Sequence, residues 1–271
     1  KKRGLHFWYV HIFIVTLHRN LNAGKPKTMR KTLILLLTAV SLMACHKPAK
    51  VTSVTTEAIT IDASLDSIQD SSYLAAIASK KADLEKQMGV QISYLADTLW
   101  VCRPECPMLN WATDALWEAA KKISPEPVDI AIANIGGMRC DWYPGPITKG
   151  HIFELMPFDN KLVVLTLTGA DILDLCQAFA DLGGEGVAGL RMKAVDGRLA
   201  EVLIGGKAVD PKKNYTVATS DYLSGGADHM DALTRYTHYW DSETLIRDLY
   251  MQAAQQTDTI HAVLDGRMTL L

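Results

Sequence analysis

No acidic side chain occurs before Glu57, while eight basic ones stand in the first 31 positions. Over the whole chain 28 Lys and Arg face 30 Asp and Glu, which leaves residues 46–271 with 20 basic against 30 acidic side chains, a net of −10. A region that acidic excludes a nucleic-acid groove, because a phosphate track needs clustered Lys and Arg. An anionic ligand has to be met by a few placed arginines instead of a basic field. No apolar run approaches the roughly 20 residues that span a bilayer, and no internal period marks a repeat array. No Gly-x-Ser-x-Gly elbow offers an activated serine. Ser220-Asp221 with His229 is an imaginable acid–base group, but a turn serine beside a carboxylate is commonplace. What is present excludes global disorder: 48% hydrophobic residues, with six Trp and nine Tyr. The residues after the leader suffice for one large domain or two small lobes with a real core.

The basic head has a purpose. Met29-Arg30-Lys31 is followed by an apolar run from Thr32 to Leu42 and then Met43-Ala44-Cys45. A short basic n-region, a short h-region and small residues before a cut make a secretory signal, here residues 29–44. Its Leu-Met-Ala-Cys ending resembles a bacterial lipobox, which implies cleavage before Cys45 and a lipid on its thiol. An ordinary signal peptide with a chance Cys is the plainer alternative. Residues 1–28 begin with Lys1 and read as an over-extended N-terminus ahead of Met29. The expectation is therefore an exported protein, lipid-anchored to the bacterial cell envelope on the periplasmic or outer side. Residues 45–64, rich in Lys, Thr, Ser and Val, read as a linker, and 65–271 as the folded domain.

Export permits disulfides among Cys102, Cys106, Cys140 and Cys176, for which three full pairings are open. Zinc is the rival use of these thiols and fails for want of a histidine at ligand spacing. Along the domain, Leu74, Ile77, Ala78, Leu84 and Met88 recur at helical spacing between Asp66 and Gly89. Further helices are predicted over Asn110–Ile123, from Thr148 to Phe153, over Ala170–Leu182 and over Asp241–Gln255. Strands are predicted over Val90–Leu95, Val128–Ala133, Lys161–Thr168, Gly189–Ala194, Ala200–Ile204 and Tyr215–Thr219, with turns at Asp196-Gly197 and Gly205-Gly206. Helices and strands mix without strict βαβ alternation. That pattern is α+β, with mixed sheets and packed helices.

Three loops that follow or precede strands carry candidate chemistry. In Asn134-Ile135-Gly136-Gly137-Met138-Arg139, Gly136 and Gly137 let backbone N–H groups approach a ligand, and Arg139 offers a planar fork to phosphate or carboxylate. A tight turn with a solvated Arg is the bland alternative. In Met156-Pro157-Phe158-Asp159-Asn160, Phe158 offers a face for a base and Asn160 an amide, although such a Phe is more often core. In Asp221-Tyr222-Leu223-Ser224-Gly225-Gly226-Ala227-Asp228, Tyr222 and Asp228 suit a base and ribose hydroxyls, or else a structural turn.

Taken in order, with Tyr215-Thr216-Val217-Ala218-Thr219 before the third, these stretches resemble the C-terminal domain of bacterial and animal 5′-nucleotidases from roughly Leu95 to Met230. The resemblance implies that domain's fold. It implies Asn134 and Arg139 as polar and phosphate-side contacts, Phe158 and Tyr222 as two plates around a nucleobase, and Asp228 as a ribose contact. Arg103 stands for an upstream family arginine, unless the Cys102–Cys106 segment is shifted by one position and puts Cys102 there. Ile135, Ala227 and His229 replace family glycines, and Tyr222 replaces a Phe while keeping its face.

In that family the hydrolytic chemistry belongs to a metallophosphatase domain with clustered His, Asp and Asn. The histidines after Cys45 (His46, His151, His229, His238 and His261) show none of its Asp-x-His, Gly-Asn-His or His-x-His spacings. The resemblance thus implies no catalytic residue and no cofactor in this chain. Divalent metals are expected in a separate metallophosphoesterase partner, with this chain holding the nucleotide or nucleoside. A stand-alone nucleotide- or nucleoside-binding lipoprotein is the alternative, and a degenerate structural lipoprotein a third.

Overall fold

A computed structural model describes residues 51–67, 70–261 and 263–271. Residues 1–28, the 29–44 signal and Cys45 lie outside the described residues. Of the unit Lys1–Ile68, residues 51–65 are exposed and Ala63–Ser67 make a 3-10 turn. Gln69–Leu271 is a second compact unit and carries everything that follows.

The chain enters this unit through α1 (Ser71–Met88), whose cap is Asp70: its carboxylate accepts from the Ser72 and Tyr73 amides. No residue of α1 is buried, and Tyr73, Leu74 and Leu84 of its apolar set stay exposed. β1 (Gln91–Leu95) follows, and then α2 (Pro107–Ile123). α2 starts three residues before the predicted Asn110 because Pro107 is a start and not a break. A proline at the first helical position loses only an N–H that would be unpaired anyway. Met108, Leu109, Ala112, Leu116 and Ala120 form its buried stripe.

β2 (Ile130–Ala133), β3 (Gly145–Thr148), α3 (Lys149–Leu155), β4 (Lys161–Thr168) and α4 (Gly169–Leu182) come next. Thr168 and Asp171 form a capping box at the start of α4, and Gly183 ends it in the left-handed region at φ 85°. β5 (Gly186–Ala188), β6 (Leu190–Val195), β7 (Arg198–Ile204) and β8 (Lys207–Ala208) lead to β9 (Asn214–Ser220) and the one-turn α5 (Asp221–Ser224). The unit closes with β10 (His238–Leu245), α6 (Ile246–Gln255), β11 (Thr259–Ile260) and β12 (Met268–Leu270).

The organising layer is a five-stranded mixed sheet in the order β10-β4-β9-β2-β5, flanked by a three-stranded sheet (β11-β1-β3) and a four-stranded one (β12-β6-β7-β8). Strand alternation sorts its side chains to two faces. Leu162, Val164, Ala131 and Ala218 join the core under α2, α3 and α6, whereas Val163, Leu165, Leu167, Ile130, Ile132 and Val217 join the core under α4 and the β6–β7 hairpin. The α+β expectation holds. One predicted helix does not: Asp241–Leu245 are strand, paired to β4 at Asp241↔Val163 and Leu245↔Lys161, and only Ile246 onward is helical. Pairing against an open sheet edge outweighs the helical periodicity of five residues.

Cys102, Cys106, Cys140 and Cys176 are all free thiols, so none of the three pairings is formed. Cys176 is sealed in one core and Cys106 in the other. Burial pushes the Cys176 thiol up to about 12, which keeps it protonated and inert.

Candidate functional site

β2 and β9 run parallel and β4 runs antiparallel to β9. The C-terminal ends of β2 and β9 and the N-terminal end of β4 therefore share one edge of the sheet, and all three motif loops leave or enter there. Such an edge is the usual ligand crevice of a sheet with parallel strands. The loops enclose a cavity of about 300 Å³. Asn134, Gly136, Gly137 and Arg139 form one wall; Phe158 and Asn160 form a second; Tyr222 and Asp228 form the third.

Each wall has a local cause. Asn134 leaves β2 extended, and Ile135–Gly137 then make a 3-10 turn. A Cβ on Gly137 would lie 2.9 Å from the Asn134 side-chain oxygen, so glycine is what lets that amide fold back over the turn. Asn134 Nδ2 then donates to Asp228 Oδ2 at 2.5 Å. Arg139 is exposed, donates to the Gly136 carbonyl at 3.2 Å and lies 5.9 Å from the Phe158 ring centroid. Phe158 is 39% exposed and Tyr222 50%, so neither ring is core: both present aromatic surface at the cavity. The Tyr222 hydroxyl donates to Asp228 Oδ1 at 3.0 Å, and that bond raises the phenol above its ordinary range. Asp228 itself sits at φ 55°, between Gly226 at φ 84° and His229 at φ 63°. Both of its oxygens are thereby held toward the Asn134 and Tyr222 walls. Aromatic faces with a fixed acceptor and two amides suit a flat heterocycle carrying hydroxyls.

Arg103 is the exception, since it is not on the cavity wall. Its guanidinium donates to the Leu182 and Gly184 carbonyls and, at 2.6 Å, to Glu185 Oε1. Cys102, the alternative occupant of that position, donates to the Glu105 carbonyl at 3.6 Å. A larger groove of about 450 Å³ runs between α2 and α6, lined in part by Trp111, Glu118, Gln252 and Gln256. No motif residue reaches it.

A family model for the 5′-nucleotidase C-terminal domain matches residues 94–235, which include all three loops. The chain belongs to the 5′-nucleotidase C-terminal domain family. Protein UshA of Escherichia coli is 29% identical over 140 residues, covering 48% of this chain and 25% of that protein. A 5′-nucleotidase of Vibrio vulnificus is 30% identical over 116 residues, 41% of this chain and 21% of its own. The chain thus spans about a quarter of the length of the curated relatives it matches. The 5′-nucleotidase precursor from Thermus thermophilus shares the fold with a TM-score of 0.66 at 24% identity, covering 73% of this chain and 42% of that one.

Two residues that hold this family's loops in place here were not visible as motifs. Arg247, buried on α6, donates to the carbonyl of Phe158 at 3.2 Å and to Asp159 Oδ1 at 2.6 Å, and stacks 4.5 Å over Phe153. It stands 89 positions from Phe158. Glu185, buried between α4 and β5, accepts the Ile135 amide at 2.6 Å with the oxygen that Arg103 leaves free. Burial, more than the neighbouring Asp228, raises its carboxyl. The only signal for Glu185 in the sequence is a carboxylate set in the Gly183-Gly184-Glu185-Gly186 stretch.

Proposed function

We propose that this chain is the substrate-binding subunit of a split 5′-nucleotidase, tethered to the bacterial envelope by a lipid on Cys45. It grips the base between Phe158 and Tyr222, takes ribose hydroxyls on Asp228, and uses the Asn134 and Asn160 amides and the Arg139 fork at the rim. Among the described residues no three His, Cys, Asp or Glu side chains converge as a cation site. In this reading the divalent metals and the phosphate cleavage belong to a metallophosphoesterase chain that docks on it. The binding energy of the base then orients the ester at the partner's metals, which is how remote contacts lower a barrier. The observation that carries the reading is the convergence of three sequence-distant loops on one cavity, with two exposed rings and an acceptor bonded to Asn134 and to Tyr222. Among the described residues no helix is long and apolar enough to cross a membrane.

The test is purification from the native membrane with and without added divalent metal, followed by an assay of nucleotide hydrolysis. Hydrolysis that follows a co-purifying phosphoesterase and is absent from the chain alone supports the split enzyme. Nucleoside binding without any such partner would move the assignment to a stand-alone binder.

A further inference from the structure

Among the described residues the cavity lining holds one guanidinium, Arg139, and one carboxylate, Asp228. A ligand phosphate therefore meets no net positive charge there. The second cation that the family resemblance implies, Arg103, is bonded elsewhere. The Leu182 and Gly184 carbonyls hold one end of its guanidinium, and Glu185 supplies the charged partner at the other. The Glu185 side chain is 2% exposed, one oxygen takes Arg103 at 2.6 Å, and the other takes the Ile135 amide next to Asn134. Releasing Arg103 toward a phosphate would strand a buried carboxylate, a penalty that a solvent-facing ion pair does not return.

We propose that Glu185 is a specificity-determining residue: it holds Arg103 off the cavity, so the site recognises the nucleoside part of its ligand and is nearly indifferent to a 5′-phosphate. This rests on the base-cavity reading and refines it, since phosphate recognition is left to the partner's metals. Glu185 links Arg103 to the Ile135 amide, in the turn between the lining residues Asn134 and Gly136, so a guanidinium freed from it starts one side chain behind the cavity wall.

The experiment is calorimetric titration of the full chain with adenosine, AMP, uridine and UMP. Wild type should bind nucleoside and monophosphate within about fivefold of each other, because Arg139 is solvent-screened. Glu185→Gln should gain roughly tenfold for the monophosphates alone, and adding Arg103→Gln should abolish that gain. If Glu185→Gln fails to fold by circular dichroism, Arg103→Gln decides: an unchanged monophosphate-to-nucleoside ratio supports the proposal and a fall overturns it. A wild type that strongly prefers monophosphates, or a folded Glu185→Gln without the gain, also overturns it while leaving the base cavity standing. A folded wild type that takes neither nucleosides nor monophosphates ends the base-cavity reading, and this inference with it.

Discussion

Asp228 satisfies two demands that pull on different parts of one residue. Its carboxylate joins the Asn134 wall to the Tyr222 wall, and its backbone occupies the left-handed region at φ 55°. Asn tolerates that conformation and Ala does not, the difference being about 1–2 kcal/mol. Asp228→Ala should therefore melt below Asp228→Asn, by roughly 2–8 °C at 2–4 °C per kcal/mol for a domain of this size. Equal melting temperatures in a thermal scan would refute the strain argument. Glu185 gives a second prediction at this scale. Its folded carboxyl is raised by burial, so the native state holds its proton more tightly than the unfolded chain does. The stability linked to that proton is complete below the ordinary value of 4.5 and is lost as pH climbs through the raised one. Wild type should accordingly lose stability relative to Glu185→Gln on going upward from that value. Urea unfolding of both proteins across the weakly acidic range measures it, and a difference that grows in wild type's favour with rising pH would contradict the assignment.

At the scale of elements, the Phe158 loop shows why a site can be readable while its support is not. Met156-Pro157-Phe158-Asp159-Asn160 is a contiguous signature, whereas Arg247 reaches it from a helix far along the chain and has no local mark. Arg247→Ala leaves the Phe158 carbonyl and Asp159 without their charged donor; Asp159 is 79% exposed, so its ion pair adds little, and the bond to the part-buried carbonyl is worth about 1.5–3 kcal/mol. We expect a loss of roughly 2 kcal/mol in stability and a tenfold or greater loss in nucleoside affinity. Arg247→Lys should recover charge but not the fork, and so only part of either. Full affinity in Arg247→Ala would show that the loop holds itself. The same contrast runs through the fold. β4 is legible to the residue, Lys161–Thr168, because a central strand covered on both faces reads as a near-continuous apolar run. The start of α6 is not, because Asp241–Leu245 take their state from β4 alongside. Likewise Phe158, Tyr222 and Asp228 announced themselves by residue type in glycine-rich or proline-bounded loops, while the retreat of Arg103 depends on Glu185, which becomes its partner only once α4 and β5 are folded.

For the whole molecule, the five-stranded sheet separates the two cores and collects the site at one edge, so ligand binding and global unfolding are linked through the same strands. A nucleoside that binds only the native state at 100 times its dissociation constant adds about 2.7 kcal/mol, which corresponds to a rise of about 5–10 °C in melting temperature. The two cavities make opposite claims about that shift. If the base lies between Phe158 and Tyr222, Phe158→Ala or Tyr222→Ala removes a stacking face worth about 1–3 kcal/mol, so the shift at fixed ligand falls to a fraction of its wild-type size. If the ligand instead lies in the larger α2–α6 groove, both variants keep the full shift and Trp111→Ala abolishes it. Phe158 and Tyr222 are exposed, so their truncation leaves no buried void and the unliganded melting temperatures should stay close to wild type. A shift retained in both variants would remove the stacking site whether the chain works alone or with a partner.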